Sequence, residues 1–244
     1  MLDHETEIRD RVAFIRAQLS TSGCTGIVFG SSGGKDSVLV GILCKMACEN
    51  TVGLVMPCGS KRNYGEDKED AFAFAEQYKI ETRTVDMTPA RDALIGSLSG
   101  AAALTPMAEA NINPRLRMAA LYAVAASENR LVAGTGNRSE IYMGYFTKWG
   151  DGASDFDPIA DLTVTEVYEL LRFLGAPENI IEKAPSAALF EGQTDEAEMG
   201  ISYAAIDKFL LTGEAAEADR AILRRFHSRS EHKRKPVPVF ERGE

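Results

Sequence analysis

Apolar residues recur at helical spacing from the start of the chain. Ile8, Val12, Ile15 and Leu19 share one face of residues 5–19, with charges between them, which predicts an amphipathic helix. Residues 26–29, Gly-Ile-Val-Phe, form a short apolar run of the kind a buried strand shows. They lead through a glycine-rich turn into a helix over about 36–49. Residues 52–56, Val-Gly-Leu-Val-Met, predict a second buried strand, stopped by Pro57. A polar stretch at 58–65 precedes a helix over 66–78 and a strand over 81–85. Thr88-Pro89 opens the next helix, with proline at a first turn where its missing N–H is not needed. Alternation of strand and helix in this order predicts a doubly wound α/β fold: a parallel sheet, helices on both faces and right-handed crossovers.

Residues 97–106 read as a small-residue linker. A long helix follows over about 114–128, and Leu131-Val-Ala133 supplies a fourth strand ending in Gly134-Thr-Gly136. Open parallel sheets hold ligands beyond the carboxyl ends of their strands, so the first glycine turn and residues 134–136 are expected to meet at one edge. Residues 145–160 read as loop. Thr163-Val-Thr-Glu166 is a capping-box pattern that opens a helix to Leu174, ended by Gly175 and Pro177. A loop over 184–199, two short helices and a charged tail complete the chain, with no internal repeat.

A length of 244 residues with 45% apolar content suits one domain with a continuous core. No run of 18 apolar residues occurs and the first twenty are rich in charge, so neither a membrane span nor a signal peptide is expected. Cys24, Cys44, Cys48 and Cys58 lack a CxxC pair or a neighbouring His to complete a zinc site. They read as reduced, small apolar residues of a cytoplasmic protein. A net charge of −9 speaks against broad nucleic-acid binding, although Lys233-Arg-Lys235 is locally basic.

The first turn, Gly30-Ser-Ser-Gly-Gly-Lys-Asp-Ser37, carries the clearest chemistry. A strand–turn–helix junction exposes the free N–H groups of a helix start, where the dipole is positive, and Gly33 and Gly34 leave no Cβ in the way. A phosphate chain is the natural occupant. A Walker A loop would need four residues between its glycines and Ser or Thr directly after Lys. Here three separate Gly30 from Gly34, and Asp36 follows Lys35. An Asp at that position suits a Mg²⁺ bridging to pyrophosphate. The spelling Ser32-Gly-Gly-Lys-Asp-Ser37 resembles the signature of the ATP pyrophosphatase (PP-loop) superfamily, which implies cleavage of ATP between its α and β phosphates.

Further strings accumulate in order: Asn111-Ile-Asn-Pro-Arg115-Leu-Arg117-Met118, Gly134-Thr-Gly-Asn-Arg-Ser-Glu140, Gly144-Tyr-Phe-Thr-Lys148-Trp-Gly-Asp-Gly-Ala-Ser-Asp155, Gly192-Gln-Thr-Asp-Glu196 and Glu231-His-Lys-Arg234. With the loop, they resemble the ammonia-dependent NAD synthetases over nearly the whole chain, from about residue 5 to 238. That resemblance implies a five-stranded, adenine nucleotide alpha hydrolase-like sheet in a single domain, residues 1–244, with 229–244 as a tail closing over substrate. It implies an ATP-binding set of Gly30, Ser31, Ser32, Gly33, Gly34, Lys35, Asp36, Ser37, Thr135 and Ser186, and Asp36 and Glu140 as catalytic Mg²⁺ ligands. Arg115, Lys148, Asp155, His232 and Lys233 become the expected contacts to deamido-NAD⁺, and a homodimer is expected, with its site at the subunit boundary. The implied reaction adenylates a carboxylate with ATP and displaces AMP with ammonia.

Residue types alone leave plainer readings beside these. Glu140 standing alone would be a solvated carboxylate at a helix start, Lys148 and Asp155 could brace a loop, and a basic C-terminal run is usually solvated. Arg115 and Arg117, two apart, face different sides of a helix, so one can serve substrate while the other makes structural ion pairs. Two positions depart from the family pattern. Val164 stands where a phosphate-contacting Lys is frequent, leaving Lys35 and Lys183 as replacements, and Ser186 stands where Thr is usual. A tRNA-modifying relative and a nucleotide sensor without turnover are the competing functions. The acidic charge and absence of paired catalytic cysteines oppose the first, and the presence of both Asp36 and Glu140 opposes the second.

Overall fold

The structure is a computed structural model and describes residues 3–59, 65–183 and 194–242. In chain order its elements are α1 (His4–Ser22), β1 (Gly26–Gly30), α2 (Lys35–Ala47), β2 (Thr51–Val55), α3 (Glu66–Tyr78), β3 (Glu81–Thr84), α4 (Thr88–Leu98), α5 (Pro106–Ala110) and α6 (Ile112–Glu128). After these come β4 (Arg130–Ala133), α7 (Arg138–Met143), α8 (Val164–Phe173), α9 (Glu178–Glu182), α10 (Asp195–Met199), α11 (Tyr203–Thr212), α12 (Glu217–Arg229) and α13 (Glu231–Arg234).

The sheet order is β3-β2-β1-β4 and every pairing is parallel. From β1 the chain steps outward to β2 and β3, then returns through α6 to the other side of β1. The two connections flanking β1 therefore diverge, which opens a crevice at the carboxyl ends of β1 and β4. Buried on both faces, β1 needs apolar residues at every position: Ile27 and Phe29 face the layer of α1, α2, α3 and α8, while Val28 joins Val52, Leu54 and Val132 against α6. This is why an unbroken apolar run, rather than an alternating one, marks the strand.

A third cluster lies beside the sheet. Met143, Val164, Met199, Ile206 and Leu223 pack together there, so α7, α8, α11 and α12 form a helical layer flanking the crevice. Val164 is 3% exposed within it. That position serves packing in this chain, not contact with a phosphate.

The expected doubly wound architecture holds, with two differences of detail. Four strands pair among the described residues instead of five; Phe156 makes only an isolated bridge to Ala133, because the chain turns into the loop ahead of Pro158. The expected loop over 184–199 contains α10, whose acidic first turn suits a helix start. Residues 184–193 lie outside the described ones. No described helix is long and apolar enough to cross a membrane.

Close approach of α2 to the sheet rests on Gly41. A Cβ there would lie 2.7 Å from the rings of Phe29 and Phe74, both fully buried. Replacing a mid-helix Gly by Ala normally stabilises by about 1 kcal/mol. Overpacking costs about 1–3 kcal/mol and should win here. Gly41→Ala is therefore expected to lower the urea midpoint; a raised midpoint would show that the helix backs away without loss.

Candidate active site

At the end of β1, the Ser31 N–H donates to the Leu54 carbonyl (2.9 Å) and the chain then leaves the sheet. Gly33 takes φ +75°, and a Cβ there would meet the Asp67 carbonyl at 2.5 Å, so α3 presses directly on the turn. Gly34 is the N-cap of α2 and offers no side chain to it, which leaves the first amides open. The serines fold the turn itself. Ser32 Oγ donates to Ser37 Oγ (3.1 Å), Ser37 Oγ donates to the Gly34 carbonyl (2.9 Å), and Gly34 N–H donates back to Ser32 Oγ (3.2 Å). Ser31 Oγ is buried and without a hydrogen-bond partner among the described residues.

Charged groups converge just inside α2. Lys35 Nζ donates to Asp36 Oδ2 (2.7 Å) and stands 4.0 Å from Glu140 Oε1; its side chain is 7% exposed. Burial disfavours the ammonium, yet the two carboxylates outweigh it and hold the group above its ordinary value. Glu140 is raised too, which for a carboxyl disfavours the charged form: burial, then the Asp36 charge, lift it well above the ordinary range despite Lys35. Asn137 joins the pair. Its side-chain amide donates to Asp36 Oδ1 (3.1 Å), and it forms a capping box with Glu140 at the start of α7. The Asp36 side chain is only 15% exposed because it lies between Lys35 and Asn137.

The start of α7 is held from behind. Ser139 Oγ donates to Asp207 (2.5 Å), a carboxylate 2% exposed that also accepts the Thr165 N–H (2.8 Å) and hydroxyl (2.6 Å). Asp207 thus ties α11 to the first turns of α7 and α8. Sequence reasoning passed over it, because an Asp within an apolar helical stretch carries no motif.

One cavity of about 1050 Å³ runs from the turn across the carboxyl ends of β1, β2 and β4 to α12 and α13. That is at the upper end for ligand pockets. Of the expected residues, Gly30, Ser31, Ser32, Gly34, Lys35, Asp36, Ser37, Thr135, Glu140 and Lys233 line it. Gly33 shapes the turn without lining the wall, and Ser186 lies outside the described residues. Arg115, Lys148, Asp155 and His232 stand outside this wall. Arg115 Nε donates to the Lys148 carbonyl (3.3 Å) and Lys148 Nζ to the His232 carbonyl (2.6 Å). Asp155 accepts the Val132 N–H (2.8 Å) and the Tyr122 hydroxyl (3.1 Å). Arg117, the arginine read as structural, does line the cavity, and its Nε donates to the Met56 carbonyl (2.9 Å). Lys183 also lines it, held by Asp67 (2.8 Å) and Asp70 (2.6 Å).

The donor chemistry fits a Mg²⁺. No group of three or more His, Cys, Asp or Glu able to hold a metal occurs among the described residues. Mg²⁺ needs no such cage, binding through one or two carboxylates together with substrate phosphates. Asp36 and Glu140 supply two largely buried carboxylates sharing one ammonium, beside the open amides of α2.

Comparison with known proteins agrees over the whole chain. The NAD synthase family model matches residues 7–238. The NH₃-dependent NAD⁺ synthetase of Carboxydothermus hydrogenoformans is 46% identical over 241 residues, which cover 97% of this chain and 98% of that protein. Among solved structures, an NMN synthetase from Francisella tularensis superposes with a TM-score of 0.93 at 36% identity, covering 98% of this chain and 99% of that one. The NH₃-dependent NAD synthetase of Campylobacter jejuni, solved with a nitrate ion, gives 0.80 at 31% identity, covering 99% and 100%.

Asp157, on the cavity wall, accepts the N–H groups of Gly136 (3.0 Å) and Ile159 (3.1 Å). Burial pushes its carboxyl up to about 6 against those two bonds, and the charges of Asp36 and Asp161 add to the rise. Between pH about 4 and about 6 the folded chain therefore binds this proton more tightly than the unfolded one. The resulting stability is present at low pH and lost as pH rises through about 6. Asp157→Asn should gain stability relative to the parent between pH about 4 and about 7. Urea melts with a pH-independent difference would contradict the assignment.

Proposed function

The chain belongs to the NAD synthase family of carbon–nitrogen ligases, and from that premise we propose that it amidates deamido-NAD⁺ to NAD⁺ with ammonia, using ATP and Mg²⁺. The observation that carries this reading is the meeting of Asp36 and Glu140, from opposite halves of the chain, on Lys35 and Asn137 beside the uncapped start of α2.

The pyridine carboxylate has no leaving group. One of its oxygens attacks the α-phosphorus of ATP, forming an acyl-adenylate as pyrophosphate departs. Ammonia then attacks the acyl carbon, AMP leaves with the bonding electron pair, and the nitrogen loses a proton to give the amide. The turn over 30–37 receives the phosphates through backbone amides and serine hydroxyls, and the Thr135 hydroxyl reaches the nucleotide. Asp36 and Glu140 would hold the Mg²⁺, which supplies neutralisation of phosphate charge. Lys35 keeps the two carboxylates together. Ser186 belongs to the same ATP set by family resemblance.

Lys233 enters the cavity from α13, with Nζ donating to the Gly144 (2.8 Å) and Phe146 (2.7 Å) carbonyls. Through the Lys148 contact to His232 it belongs to one linked surface, and residues 229–244 act as the tail that closes on substrate. Arg115, Lys148, Asp155 and His232 contact deamido-NAD⁺ where a second copy completes the site, so the working form is a homodimer. The free cysteines Cys24, Cys44, Cys48 and Cys58 fit a cytoplasmic location.

A second reading has support in the TM-score of 0.93 to an NMN synthetase. Under it the acid form of a pyridine mononucleotide is amidated by the same chemistry. Incubation with ATP, Mg²⁺, ammonium and either acid decides between them by the ratio of kcat/KM. Both readings require AMP and pyrophosphate as products; ADP would overturn adenylation. Asp36→Asn should reduce kcat by roughly 100-fold or more while the far-UV spectrum is retained. Full activity in that variant would remove Asp36 from the metal site.

A further inference from the structure

Of the cations that α12 and α13 bring to the cavity wall, the family resemblance names only Lys233 individually. Although the chain carries a net charge of −9, residues 217–235 hold seven Lys and Arg against three Asp and Glu. Four of those cations, Arg225, Arg229, Lys233 and Arg234, line the cavity from α12 and α13. Two of them are already engaged. Lys233 is held by the carbonyls of Gly144 and Phe146, and Arg234 donates to Ser230 Oγ (2.6 Å) and to carbonyls of residues 141, 142 and 227. Arg225 and Arg229 differ. Neither has an acidic partner within ion-pair distance among the described residues, and both are exposed along the cavity, one helical turn apart. In an acidic protein, two uncompensated guanidinium groups side by side on a cavity wall repel each other unless an anion joins them.

We propose that Arg225 and Arg229 form the subsite for the phosphate group of the pyridine nucleotide substrate. The inference rests on the amidation reading above and extends it to two arginines not named individually there. The reacting carboxylate must reach the α-phosphorus of ATP, and in that reading the ATP phosphates belong to the amides of the turn at the head of α2, on the same cavity. The remaining anionic part of the second substrate is its phosphate ester or pyrophosphate, set back from the carboxylate by the pyridine ring and ribose. That part extends along the cavity wall to α12. Guanidinium suits it, because its planar donors meet two phosphate oxygens at once and its charge is not lost at any working pH. Phe226, between the two arginines in sequence, also lines the cavity and lies 5.1 Å beneath the Arg225 guanidinium, which limits where that group can swing.

Titration calorimetry on the full chain, with the ATP site filled by a non-hydrolysable analogue, tests this. Deamido-NAD⁺ and nicotinate mononucleotide are the two probes. The double variant Arg225→Ala, Arg229→Ala should weaken the bound probe roughly tenfold or more and flatten the dependence of its Kd on salt. The corresponding Lys double variant should recover part of the loss. Arg224→Ala, on the same helix but off the cavity wall, should change nothing, and ATP affinity should stay within about twofold in every variant. An unchanged Kd and salt slope in the double variant, with amidation retained, overturns the subsite alone. Failure of both probes to bind the parent chain overturns the subsite together with the functional reading.

Discussion

A single buried ammonium holds the site together. Lys35 bonds Asp36 and faces Glu140, so one ammonium draws together two acidic side chains from different halves of the fold in a region largely shielded from water. Removing either charge sign alone would leave the other unpaired in a low-dielectric pocket, a far larger cost than any surface ion pair returns. Around this pair the polar atoms are closely accounted for: Asn137 bridges Asp36 to α7, and Asp207 pins α7 to α8 and α11. Charge-assisted bonds of this kind contribute about 1.5–3 kcal/mol each. The network therefore fixes the first turn of α7 more firmly than a six-residue helix could fix itself.

Topology explains why the site forms where it does. The reversal of strand order beside β1 separates the connections that would otherwise cover its carboxyl end, and the uncapped amides of α2 open into that gap. The flanking helical layer then extends the crevice into a single cavity lined by groups of both charge signs. Carboxylates and the amides of the turn share its wall with Arg225, Arg229, Lys233 and Arg234 from α12 and α13. The same layer buries Val164, which turns a position suited to a phosphate-contacting Lys into a packing position.

Local pattern and tertiary placement divide cleanly at particular residues. The run Ile27–Phe29, the Gly33–Gly34 turn and the Thr163–Glu166 cap were legible because each is a short-range device: strand burial, left-handed φ and helix capping are set within a few residues. So were Asp36 and Glu140 as partners, through the strings that carry them. Arg117 was not. Position along a helix gives its face but not which neighbour lies there, and the α6 face bearing Arg117 meets the end of β2, whereas Arg115 meets the loop at Lys148. Asp207 and Asp157 escaped notice for the same reason, since their partners lie tens of residues away in sequence.

By itself, then, the order of apolar runs and glycines determined a parallel α/β sheet with an open glycine turn at the head of α2, because those features depend on backbone sterics and on hydrogen bonds a few residues apart. Only the folded chain decided that Asp36 would be shielded by Lys35 and Asn137, and that α12 would bring Arg225 and Arg229 to the wall of the same cavity. Charges separated by a hundred residues acquire an environment only when packing sets their distance and removes their water.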